Sequence, residues 1–79
     1  MKLNIITPDQ VLYAGENVSL VQLPGFDGSF EVMSHHAPLI SVLRKGKIKV
    51  EVKGDSPLFF DVNGGVIEVL ENQVLILAE

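Results

Sequence analysis

Residues 47–53 read Lys47-Ile48-Lys49-Val50-Glu51-Val52-Lys53, an alternation without a break. Ile48, Val50 and Val52 fall on one side, and Lys47, Lys49, Glu51 and Lys53 on the other. Successive side chains on a strand point to opposite faces, so this period of two predicts a strand with one buried and one wet side. Nowhere does the chain keep apolar residues at i, i+3, i+4 and i+7 for long enough to predict a helix.

On the N-terminal side of this stretch, Arg44-Lys45-Gly46 reads as a turn and Leu39 to Leu43 as a strand. Pro38 biases Ala37 towards extended geometry. Before that, Phe30 and Val32 share a face of a short strand, with Glu31 and Met33 opposite. Pro24-Gly25-Phe26-Asp27-Gly28 reads as a hairpin connection, because Asp27-Gly28 accepts positive φ at little steric cost. Asn17 to Leu23 is a full strand, with Val18 and Leu20 on one face and Val21 and Leu23 on the other. Lys2 to Thr7 alternates until Pro8-Asp9 stops it, and Val11 to Tyr13 is a brief piece that breaks at Gly15.

On the C-terminal side, Gly54-Asp55-Ser56-Pro57 turns the chain into Leu58 to Val62. Asn63-Gly64 predicts a two-residue hairpin into Gly65 to Leu70. Glu71-Asn72 turns again, and Gln73 to Ala78 is apolar enough to predict a central strand covered on both faces. About eight to ten short strands at turn spacings of about 8–12 residues predict an all-β fold. The expectation is a small antiparallel β-sandwich, or flattened barrel, as one domain over residues 1–79.

Composition narrows the function. A 79-residue chain buries only about 60–65% of its unfolded surface, yet 47% of its residues are hydrophobic. Some of that apolar surface is expected to end against a partner rather than in a private core. There is no cysteine, which excludes disulfides, thiolate catalysis and cysteine-ligated zinc. A net charge of −4 argues against nucleic acid and anionic membranes as partners. The start, Met1 to Gln10, carries one lysine and too short a hydrophobic run for a signal peptide, and no run approaches the roughly 18 apolar residues of a membrane span. The expectation is a soluble, bacterial-type cytoplasmic protein.

Few residues could carry chemistry. His35 and His36 are adjacent, so on a strand they point apart, and no further histidine or cysteine exists to complete a metal site, which leaves only Glu31 or Asp27 to contribute a ligand. The plainer expectation is one solvent-facing imidazole and one bonded to the turn backbone. Ser34 beside them supplies residue types for a triad without a nucleophile elbow or an oxyanion-hole motif. Gly64-Gly65 precedes a strand rather than a helix, which removes the phosphate-loop reading. Arg44, Lys45, Lys47 and Lys49 form the one basic cluster, but no aromatic residue interleaves with it as a stacking platform. Lys47 and Lys49 are most simply the wet side of their strand. Phe59 and Phe60 are consecutive, so one ring faces away from the other, and Leu58-Phe59-Phe60 beside the apolar last strand is expected to hold a partner contact. No catalytic residue, metal ligand or cofactor site is expected.

Four pieces of the chain, in order, carry a family likeness. These are Leu3 to Glu16 with its Gly15-Glu16 step; Pro24-Gly25-Phe26-Asp27-Gly28, matching P-G-x-x-G; His36-Ala37-Pro38-Leu39 with Leu43, Gly46 and Ile48, matching H-A-P-L…L-x-x-G-x-I; and Asn63 to Val69 ending in Asn72-Gln73-Val74, matching G-G-x-x-E-V…N-x-V. Together they resemble the N-terminal β-sandwich domain of the ε subunit of bacterial F-type ATP synthases, over essentially the whole chain. The resemblance implies a noncatalytic rotor subunit at the cytoplasmic face of the bacterial inner membrane. It implies packing on the γ subunit and the c-ring, coupling ion-driven rotation to ATP synthesis at the α/β hexamer.

Carried over by position, the c-ring contact falls on Ser29, Phe30, Glu31, Val32 and Met33. The γ contact is assigned to His36, Ala37, Pro38, Leu39 and Val42, together with an apolar sheet face. The family pattern G-E-L-G-I-x-P-G-H reads here as Gly28-Ser29-Phe30-Glu31-Val32-Met33-Ser34-His35-His36. Its acidic position falls on Ser29, and Glu31, two residues on and on the same strand face, is expected to serve instead. The family's C-terminal helical hairpin, which carries inhibition and in some members ATP binding, has no counterpart in these residues. The alternative is a free-standing carbohydrate- or peptide-binding β-sandwich, which requires an aromatic-lined groove.

Overall fold

The computed structural model describes residues 1–79, which form nine β-strands and no helix. They are β1 (Lys2–Ile6), β2 (Val11–Gly15), β3 (Val18–Gly25), β4 (Gly28–Met33), β5 (Leu39–Leu43), β6 (Gly46–Val52), β7 (Leu58–Val62), β8 (Gly65–Leu70) and β9 (Gln73–Ala78). Hydrogen bonding links them in the order β2-β1-β9-β8-β5-β3-β6-β7, with β4 on the other side of β3. The β5–β3 link is the single pair Gly25 and Leu43. The order therefore divides into a five-stranded layer, β2-β1-β9-β8-β5, and a four-stranded layer, β4-β3-β6-β7. The result is a nearly closed, barrel-like β-sandwich of the expected class.

The core follows the alternation. Ile48 and Val50 of β6 are fully buried and meet Val21, Leu23 and Val32 of the same layer, with Leu3, Ile5, Ile67 and Ile76 supplied by the other. Each such side chain moved out of water contributes about 1.5–3 kcal/mol, and no polar side chain is buried among them to offset this. Tyr13 of β2 and Phe60 of β7, each on an outer strand, close the open side of the sandwich with ring centroids 5.8 Å apart. Phe59 points the other way and is 57% exposed, as the consecutive rings require.

Six local expectations need correction. All pairings are antiparallel except β1 with β9, which runs parallel from Lys2 opposite Gln73 to Ile6 opposite Leu77. The rest of the sandwich lies between these two strands in sequence, so no short crossover constrains their direction.

Asn63-Gly64 is not a hairpin. β7 pairs with β6, whereas β8 pairs with β5 and β9, so Asn63-Gly64 carries the chain from one layer to the other. Gly64 and Gly65 take φ of 138° and 149°, and a Cβ on Gly65 would overlap the Leu77 carbonyl oxygen. The corner is fastened by Glu79, whose N–H donates to the Gly64 carbonyl at 3.0 Å.

In β3, a register shift between Val18 and Leu20 absorbs one residue. This bulge turns Val18 inward together with Val21 and Leu23, against the simple parity of the sequence. The strand also runs on through Pro24 and Gly25, leaving Phe26-Asp27 as the turn and Gly28, at φ 135°, as its left-handed residue.

β9 is central, but only one of its faces is covered. Val74, Ile76 and Ala78 are buried, whereas Leu77 is 47% exposed on the other side. Finally, Leu58-Phe59-Phe60 lies on β7 at the far edge of the four-stranded layer, not beside β9.

Candidate functional site

The outward side of the five-stranded layer carries a block of apolar residues, with Lys2, Asn4 and Gln73 towards the end next to the β8–β9 turn. Register places Val42 opposite Val66, Val66 opposite Leu77, Leu77 opposite Ile6, and Ile6 opposite Val11. These five side chains form one row across all five strands, with Val42 55%, Val66 38%, Leu77 47% and Val11 63% exposed. In the next row Ile40, 73% exposed, stands opposite Glu68, which stands opposite Leu75. Leu70 extends the patch towards the β8–β9 turn. Scattered exposed apolar residues are ordinary on a protein surface, but a contiguous block of this kind marks an interaction surface.

The outward side of the four-stranded layer has the opposite character. Lys47 and Asp61 are cross-strand partners with Nζ and Oδ1 2.9 Å apart, and Lys49 reaches Glu51 at 3.1 Å. Both pairs are solvated and contribute less than about 1 kcal/mol each. They confirm Lys47 and Lys49 as the wet side of β6, and leave Arg44 and Lys45, both exposed in the turn, as the remainder of the basic cluster.

The residues assigned to the c-ring lie on β4, which pairs only with β3 and so forms an edge. Ser29, Glu31 and Met33 face solvent, Val32 is buried and Phe30 is half-buried against the core. Glu31 stands opposite Gln22. A charge on an edge strand also serves the plainer purpose of discouraging edge-to-edge pairing. Phe26, in the turn leading into β4, is 68% exposed. Reading strand faces alone passes over it; the signal available was an aromatic side chain at a turn position.

The residues assigned to γ divide between two places. His36, Ala37 and Pro38 are exposed in the loop joining β4 to β5, and Leu39 is half-buried against the core. Val42 alone belongs to the apolar face, on the other layer from β4. Ile6, Val11, Ile40, Val66, Leu70, Leu75 and Leu77 are that face's other large apolar residues, and strand alternation alone does not single them out. The available signal was the run of apolar residues at both parities of β9 and at Ile5-Ile6.

His35 and His36 sit in the loop rather than on the strand. His35 takes φ 63°, and its N–H donates to Asn72 Oδ1 at 2.8 Å, tying the loop to the β8–β9 turn. His36 Nδ1 lies 2.6 Å from the Ala37 carbonyl oxygen, so that nitrogen carries the hydrogen. The main clefts are shallow, and none is lined by a phenylalanine or by Tyr13. None of these clefts supplies the aromatic-lined groove that a carbohydrate- or peptide-binding sandwich requires.

Comparison with known proteins agrees with this geometry. The family model described as ATP synthase, delta/epsilon chain, beta-sandwich domain matches residues 1–79. The chain is 38% identical over 78 residues to the ATP synthase epsilon chain of Chlorobium limicola, covering 99% of this chain and 88% of that one. It is 43% identical over 79 residues to the ATP synthase epsilon chain of Sulfurimonas denitrificans, of which it spans 60%. Among solved structures, a chain of the Tetrahymena thermophila mitochondrial ATP synthase central stalk and c-ring superposes with a TM-score of 0.82 at 22% identity, over 98% of this chain and 61% of that one. A chain of the Euglena gracilis mitochondrial ATP synthase gives 0.89 at 22% identity, over 96% and 48%. The structural likeness establishes the same fold, and the sequence matches go further: this chain belongs to the ATP synthase delta/epsilon chain β-sandwich family.

Proposed function

We propose that this chain is an epsilon-type sandwich domain of an ATP synthase rotor: a noncatalytic part of the central stalk that packs on γ and on the c-ring. The observation that carries the reading is the bare apolar face of β2-β1-β9-β8-β5, with its row from Val42 to Val11. A permanent contact between subunits buries about 2,000 Å² or more, and it needs a face of this chemistry. In this reading γ covers that face and extends over His36, Ala37 and Pro38, with Leu39 beneath them. The c-ring meets the β4 edge, from Ser29 to Met33, with Glu31 as its charged contact.

The mechanical logic follows from the architecture. A coupler transmits torque through interfaces and does not deform, and a sandwich with a closed core and short turns is stiff. Ion-driven rotation of the c-ring then reaches the catalytic α/β hexamer through γ, on the cytoplasmic side of the bacterial inner membrane. No nucleotide chemistry, cofactor, nucleic acid or membrane insertion is assigned to this chain.

Retention of the c-ring in complexes purified from the native membranes tests the assignment. Glu31→Lys is expected to reduce recovered c-ring severalfold while γ stays bound and the chain stays folded, since Glu31 is exposed. Recovery of c-ring at the parental level rejects the β4 contact. A parental chain that purifies alone, without γ, rejects the rotor reading.

A further inference from the structure

Glu68 is the one charged side chain with apolar neighbours on both adjoining strands of this face; the face's other charge, Lys2, lies at its rim in the row of Leu70 and Gln73. Glu68 stands on β8 between Ile40 on β5 and Leu75 on β9, and the rows beside it supply Val66 and Leu70. It also borders a shallow cleft of about 480 Å³ with Pro38, Leu39 and Ile40. It makes no ion pair, whereas on the opposite layer Lys47, Lys49, Glu51 and Asp61 are all paired within the chain. A carboxylate at this place is harmless while water covers it. Once an apolar partner surface removes that water, the unpaired charge opposes binding strongly.

We infer that the partner surface covering this face carries a lysine or arginine within an otherwise apolar patch, aligned on Glu68, and that this pair fixes the register in which the partner seats. The inference rests on the reading that γ covers the face. A uniform apolar surface permits many seatings of nearly equal energy. One buried charge allows only the seating that neutralises it, because every other position leaves a carboxylate desolvated. Arginine is the better match in chemistry, as its fork meets a carboxylate in bidentate fashion.

The test measures the affinity of purified γ from the same organism for the full chain and its variants. Glu68→Gln is expected to weaken binding by about thirtyfold or more, and Glu68→Lys further. Replacing γ lysines and arginines one at a time by glutamate should identify a single reversal that restores binding to Glu68→Lys. Unfolding midpoints of both variants should match the parent, because Glu68 is exposed in the free chain. Leu77→Asp separates the seating of γ on the face from the pairing of Glu68. If Leu77→Asp weakens binding but both Glu68 variants bind as the parent does, γ covers the face without a cation there and the inference is overturned alone. Loss of binding in Glu68→Lys that no single reversal restores also overturns it. If Leu77→Asp binds γ as the parent does, γ does not use this face and both readings fall together.

Discussion

His35 and Asn72 both have left-handed backbones, φ 63° and 61°, and are joined by the 2.8 Å bond from His35 N–H to Asn72 Oδ1. In the family pattern a glycine stands at the place of His35, which is the residue type that adopts such a φ without a Cβ clash. Asparagine tolerates the region better than most residues, and its side chain here replaces the missing freedom with a tether. The two contributions separate by substitution. Asn72→Gly keeps the left-handed turn, loses the acceptor and is expected to cost about 1 kcal/mol in urea unfolding. Asn72→Ala loses both and is expected to cost about 2 kcal/mol. Equal costs for the two would mean that the turn geometry carries no strain. The adjacency of the histidines was legible in the sequence, but the tether was not, because residues 35 and 72 are brought together only by the fold.

Among the elements, β6 was the plainest, since a strand with one wet side writes its geometry into its own sequence. The Val62–Gly65 corner was not, for a physical reason. Asn-Gly reports that the backbone must adopt positive φ, and a layer crossing demands that as much as a hairpin does. Which one forms depends on the strand that receives the chain, and that choice is non-local. The bulge after Val18 is similar: it shifts parity by one, which no alternation pattern reveals in advance. The corner yields a differential prediction. Gly54→Ala strains φ 87° in open space and is expected to cost about 1 kcal/mol. Gly65→Ala strains φ 149° and also collides with the Leu77 carbonyl oxygen, so its cost should exceed that by at least about 2 kcal/mol in the same urea titration. Similar midpoints for the two variants would show that β9 gives way freely at Leu77.

At the scale of the whole molecule, the two layers turn opposite characters outward, one charged and internally paired, the other apolar and bare. That asymmetry was half visible beforehand. The apolar residues at both parities of Gln73 to Ala78 signalled cover on two sides, and the hydrophobic fraction signalled a surplus. The sequence does not say that the second cover lies outside the chain, since strand order decides which face meets the core. For the same reason the residues assigned to γ and to the c-ring, contiguous in sequence, divide between two layers: the loop from Ser34 to Pro38 crosses between them. The proposed seating of γ on the apolar face is read out by the affinity of γ for the Leu77→Asp chain. Leu77 points away from the core and lies in the middle of the row, so the chain should still fold, about 1 kcal/mol less stable for the lost contacts with Val66 and Ile6, while a buried carboxylate opposes docking. The expected result is a loss of affinity of at least about a hundredfold; affinity equal to that of the parent chain would contradict it.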